Sequence, residues 1–172
     1  MLKLVVAACA AVVIAAGQDA RAVMLGISTE SLTRESDLVV EGVVERVESY
    51  WSSDGKQILS SATVSVLETV RGGGNRTIVR VEYLGGEVGD IGMGVSDIRP
   101  FKQGEQMLLF LKQRRVDHKG EVHELVGLSQ GMYSVGKDRV ARKSGFSLAA
   151  GQENVENNVD IDRLKARVRG IR

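Results

Sequence analysis

Two histidines, His118 and His123, are the only imidazoles in the chain. They flank a stretch that reads as a hairpin turn, Asp117 to Gly120, so nothing obliges them to share a face. Zinc needs three or four protein ligands. The single cysteine, Cys9, lies in an N-terminal apolar run, and no third ligand stands at a suitable spacing. The pair therefore reads as exposed loop histidines, and no metal or cofactor is expected. Nucleophilic chemistry has one spelling to offer, Gly127-Leu128-Ser129-Gln130-Gly131. A Gly-x-Ser-x-Gly elbow works only between a strand and a helix of an α/β sheet. Here it falls between short β segments, so Ser129 as a hydrolase nucleophile is the last of the functional readings. The glycine-rich stretch Gly85 to Gly104 lacks the Lys-Ser/Thr of a phosphate loop, and no helix follows it. The carboxylates are scattered over strand positions that face outward, where water solvates them.

The same stretch is more informative as a surface. It carries Ile91, Met93, Val95 and Ile98 among its glycines, together with the only proline, Pro100. Apolar residues at that density argue against disorder. A loop of that length with exposed apolar side chains marks binding. Two accounts stay open: a partner-contact loop built on Ile91, Met93, Val95 and Ile98, or a lid tucked over the end of the fold. Asn75-Arg76-Thr77 spells a glycosylation acceptor. Aromatic residues make up 4% of the chain, too few for a platform on which bases or sugars stack.

The elements that must position these residues are strands. Asp37 to Trp51, DLVVEGVVERVESYW, is rich in Val, which packs well on a pleated surface. Leu38, Val40 and Val44 share one face with Gly42, while Glu41 and Glu45 point to water. Beyond Val44 the phase reverses: Arg46 and Glu48 are charged, Val47 and Trp51 apolar. One inserted residue, a β-bulge, has that effect. The reading is a single long bent strand. Asp54-Gly55 turns the chain. Ile58 to Arg71 alternates cleanly, with Ala62, Val64 and Val66 inward. Gly72 to Asn75 turns again, and Thr77 to Leu84 returns with Val79, Val81 and Tyr83 inward. Met107 to Leu111 is uninterruptedly apolar, which suits a strand buried on both faces. A hairpin follows, returning through Val122 to Leu128, and then short strands at Gly131 to Val135 and Arg139 to Arg142. Helices stand at the ends: a short one within Gly26 to Ser36, and an amphipathic one at Val159 to Gly170 with Ile161, Leu164 and Val168 on one face. Its basic residues Arg163, Lys165, Arg167 and Arg169 surround that face. The expected fold is mainly β, a small antiparallel OB-like barrel.

The N-terminus reads as a targeting signal. Lys3 precedes the apolar run Leu4 to Ala16, and Ala20-Arg21-Ala22 resembles a cleavage site. The run is shorter than the roughly 20 residues a membrane-spanning helix needs. Residues 1–22 are therefore expected to be a signal peptide, and 23–172 one OB-like domain that is periplasmic or secreted. A lipoprotein anchored through Cys9, in Val6-Ala7-Ala8-Cys9, and an uncleaved N-terminal anchor are the alternatives. Contact with a membrane is expected only through this segment, if it stays uncleaved. The chain holds 23 Lys and Arg against 22 Asp and Glu. A balanced charge argues against nucleic acid as partner.

The order of these features resembles the OB-fold module of the tissue inhibitors of metalloproteinases and the netrin-like domains. Exported bacterial proteins of that shape are closer still. The segments that carry the resemblance are Asp37-Leu38-Val39-Val40-Glu41-Gly42-Val43-Val44, Ala62 to Val66, Val70-Arg71-Gly72, Ile78 to Val81 and Gly104 to Leu111, within Ser36 to Val135. The resemblance implies a binding module, not an enzyme, with an extracytoplasmic protein such as a protease as a possible partner. One part of the family's chemistry has no place here. Those inhibitors set the amine and carbonyl of an N-terminal cysteine on the protease zinc, and a chain starting near Val23 has no cysteine. The functional expectation is an exported, non-enzymatic module that engages a protein or polymer; a protease inhibitor is the first alternative.

Overall fold

In the computed structural model, residues 24–149 and 155–172 are described. The expected signal segment, residues 1–22 with Cys9, lies outside them. Helix α1 (Thr29–Glu35) is capped by Ser28, whose side chain accepts from the Ser31 N–H. Strands β1 (Leu38–Trp51), β2 (Ile58–Arg71) and β3 (Ile78–Leu84) form a meander. A small hairpin, β4 (Gly86–Val88) and β5 (Ile91–Met93), follows. Then come β6 (Gln106–Asp117), β7 (Gly120–Leu125), a 3-10 turn (Leu128–Gly131), β8 (Met132–Val135), β9 (Val140–Arg142), β10 (Val159–Asp160) and α2 (Ile161–Gly170).

The large sheet runs β1-β2-β3-β7-β6 and then returns, because β6 also pairs with β1. The strands thus make a closed ring, antiparallel except for β3 beside β7. One edge of β6 holds β1 through Leu38↔Leu111 to Val43↔Gln106. The other edge holds β7 and then β8, separated by the 3-10 turn, and β9 and β10 extend from β8.

Strand β6 explains the two-sided burial of its apolar run. Met107, Leu109 and Leu111 face the ring interior with Leu38, Val40, Val44, Ala62, Val64, Val79 and Val81. Leu108 and Phe110 face the other way, under Leu32 of α1 and Ile161, Leu164 and Val168 of α2. Burial of the apolar stripe on α2 follows its helical spacing.

The expected bulge in β1 is present. Val44 pairs with Val64 and Arg46 with Thr63, so Glu45 has no partner across the ladder. Val47 then packs inward and Arg46, Glu48 and Tyr50 are turned out. Two expectations are corrected. Glu41 does not reach water; it is buried beneath α2, where Lys165 meets it at 2.6 Å. Lys165 is likewise buried. The stretch Gly85 to Gly104 is also more ordered than a plain loop, since β4 and β5 pair within it. Among the described residues no helix is long and apolar enough to cross a membrane.

Candidate groove across the outer sheet face

The bulge in β1 shapes a groove on the outer sheet face. Without the extra residue, Arg46, Glu48 and Tyr50 would follow Val44 into the interior. With it, they stand on the outer face beside Ser61 and Thr63 of β2 and Arg80 and Glu82 of β3. A second register shift, between Gln113 and Arg115 of β6, does the same on the far wall. There Arg115, Asp117 and the turn residues His118 and Lys119 complete a groove of about 340 Å³, with Val122 of β7 on its floor.

Its polar groups are held in a fixed arrangement. Glu82 is 3% exposed although its strand position faces outward. Arg115 donates to both carboxylate oxygens at 2.7 Å, Arg114 adds a bond at 3.1 Å, and the Tyr50 hydroxyl donates to Oε2. Burial pushes the Glu82 carboxyl up, but the hydrogen bonds from Arg115 and Tyr50 outweigh it and hold the group below its ordinary range. The Arg115 guanidinium is raised in turn, chiefly by its bonds to Glu82. Burial, then the bond to Glu82, raises the Tyr50 phenol. Arg80 grips Asp117 with bonds of 2.6 and 3.1 Å and also donates to the Gly120 carbonyl at 2.8 Å. The Asp117 carboxyl is held down at about 2, first by Arg80. Asp117 also accepts from the Lys119 N–H at 2.7 Å, which pins the turn. A general base works best with a pKa near the operating pH; Glu82 and Asp117 are both shifted away from it. The arrangement suits display of paired donors and acceptors better than proton transfer.

The sequence-expected residues fall elsewhere. Ile91 is 56% exposed at the β4–β5 tip. Met93 and Val95 are half-buried, and Ile98 is half-buried against the ring core. The stretch therefore divides. Its second half packs on the ring core: Phe101 is buried against Tyr83 at a centroid distance of 5.3 Å, and Arg99 binds Glu105 at 3.0 Å and Ser134 at 3.1 Å. Its first half crosses β1 and β2 so closely that a Cβ on Gly86 would lie 2.3 Å from Ser60 Oγ and 2.4 Å from Ser49 Oγ. The φ of Gly86 is also +130°, which only glycine adopts readily. Beside Ile98 a second hollow of about 250 Å³ is lined by Tyr83, Leu84, Leu125 and Leu128.

His118 lines this groove, whereas His123 lines a separate hollow with Arg76 and Glu121. His123 is not an exposed loop residue; it is buried in β7, and its Nδ1 has no hydrogen-bond partner among the described residues. Among the described residues, no three His, Cys, Asp or Glu come together as a metal site. Ser129 is fully buried, and its Oγ accepts from the Arg99 N–H at 2.7 Å. That bond ties the segment around Arg99 to the 3-10 turn, a structural task.

Sequence reasoning placed Arg46 and Glu82 on outward positions but treated outward carboxylates as solvated. Only the register, two bulges deep, shows that these strands bring their charges to one groove. No family model matches this chain, and no curated protein matches it.

Proposed function

We propose that this chain is an exported binding module, not an enzyme, built on an OB-type barrel of the netrin-like kind, and that the outer groove holds an extended polar polymer. The strand order β1-β2-β3-β7-β6, returning to β1 with one parallel pair, supports the OB reading. In that architecture the face of the second and third strands and the flanking loops take oligonucleotides or oligosaccharides. The groove lies over the corresponding β2 and β3 positions, Ser61, Thr63, Arg80 and Glu82. The observation that carries the reading is the buried Glu82, fixed by Arg114, Arg115 and Tyr50 in the groove wall. A carboxylate locked in this way presents its partners in one geometry, which is preorganisation for a ligand.

A second reading rests on Ile91, exposed at the hairpin tip. It makes that tip a contact for an extracytoplasmic protein, a protease among the candidates. One experiment separates the two. Residues 23–172 are screened against soluble polysaccharides and against secreted proteases by calorimetry, beside Thr63→Trp, which fills the groove floor, and Ile91→Asp. The groove reading expects polymer binding that Thr63→Trp abolishes and Ile91→Asp leaves intact. Binding lost only in Ile91→Asp would move the site to the hairpin. No polymer bound by any form would overturn the groove reading.

A further inference from the structure

The register sets a row across the groove. Arg46 stands opposite Thr63, Thr63 opposite Arg80, and Val122 opposite both Arg80 and Arg115. The cations of the row are not equally available. Arg115 is committed to buried Glu82, and Arg80 to Asp117 and the Gly120 carbonyl. Among the described residues Arg46 meets only Glu48, at 3.5 Å, with side chains 63% and 57% exposed. A pair so exposed contributes little and exchanges readily for a better partner. Lys119 has no ion-pair partner among the described residues, yet its backbone is fixed by Asp117. The groove thus holds two cations free to meet a ligand. They stand on opposite walls, Arg46 on β1 and Lys119 in the turn between β6 and β7.

Between them lie the Ser61 and Thr63 hydroxyls and the outer edges of arginine–carboxylate pairs. These offer donors and acceptors side by side. A sugar hydroxyl is both donor and acceptor, so a hydroxyl-rich chain matches this floor. A peptide would call for apolar pockets or an open strand edge, and Val122 is the aliphatic residue of the floor. Single-stranded nucleic acid would call for stacking surfaces and a basic bias; Tyr50 is the aromatic residue of the groove.

We propose that the groove takes an acidic polysaccharide, a carboxylate-bearing glycan laid across the strands, with acid groups at Arg46 and at Lys119. This rests on the groove-binding reading above and adds the charge of the ligand and its direction. The probes are polygalacturonate and neutral dextran, titrated by calorimetry at low and at high salt. Polygalacturonate is expected to bind, more weakly as salt rises, and dextran to bind much less. Arg46→Ser and Lys119→Ser are each expected to weaken polygalacturonate about tenfold, the worth of one charge-assisted contact. Lys102→Ser, an exposed lysine outside the groove, is expected to change nothing. If dextran binds equally well and neither serine variant matters, the acidic ligand is wrong, while loss of binding in Thr63→Trp still upholds the groove. If neither glycan binds, the groove reading falls and this inference with it.

Discussion

His123 shows how one side chain can set a pH dependence. It sits in β7 with 2% of its surface exposed and with Nδ1 unpartnered among the described residues. Burial drives its pKa below the ordinary 6.5, against the opposing pull of Glu121 3.7 Å away; the nearby Arg76 adds to the depression. A base with a depressed folded pKa is neutral in the native state while the unfolded chain already takes up a proton. Stability contributed by the neutral form is therefore present above about pH 6.5 and lost as pH falls toward the folded value, with a slope of at most about 1.4 kcal/mol per pH unit. Denaturant unfolding at neutral and mildly acid pH should show this loss. His123→Leu should remove that part of the slope. Equal slopes in both proteins would mean that His123 is protonated in the native state without cost.

Element α2 is held by more than its apolar stripe. Lys165 reaches Glu41 at 2.6 Å and Glu68 at 2.8 Å, and Gln106 donates to the second oxygen of Glu41 at 2.6 Å. Removing one member of a buried pair leaves the other charge without compensation, so Lys165→Ala should cost about 3 kcal/mol. Replacing both, with Lys165→Met and Glu41→Leu, should come within about 1 kcal/mol of the native chain or exceed it, because the desolvation cost disappears with the charges. Denaturation midpoints of the three proteins decide it. A Lys165→Ala protein as stable as the native one would mean that water reaches Glu41. The cluster also shows what a linear pattern hides. Ile161, Leu164 and Val168 were legible as a buried stripe because helical spacing repeats within one segment. The burial of Glu41 depends on a helix arriving from 124 residues away, and strand alternation alone assigns that position to solvent.

At the scale of the molecule, the bent first strand, the meander and the doubly buried β6 were readable because each depends on local alternation. A closed fold was expected, but the pairings that close it, β1 with β6 and β3 beside β7, were not legible, since they join distant segments. Nor was the groove, which needs both bulges in register at once. The same topology predicts where the ring is weakest. Strands β2 and β3 pair from Leu59↔Leu84 to Ser65↔Ile78, and β1 and β2 over nearly their whole length. The parallel contact of β3 with β7 rests on Arg80↔Val122 and Val81↔His123 alone. Beyond Val81 the registered pairing ends, and the hollow lined by Tyr83, Leu84, Leu125 and Leu128 lies near that end. Segments with few shared backbone bonds open at lower free energy than the global transition. Native-state hydrogen exchange should therefore find the one amide of the neighbouring pair Val122 and His123 that points to β3 exchanging faster than those of Val64 or Leu109. A filled groove should slow it, because Arg80 of β3 and Arg115 of β6 both line the groove and span the seam through Asp117 and Glu82. A seam amide protected as strongly as Leu109 would mean that the arginine–carboxylate clamps, more than the two ladder pairs, close the ring.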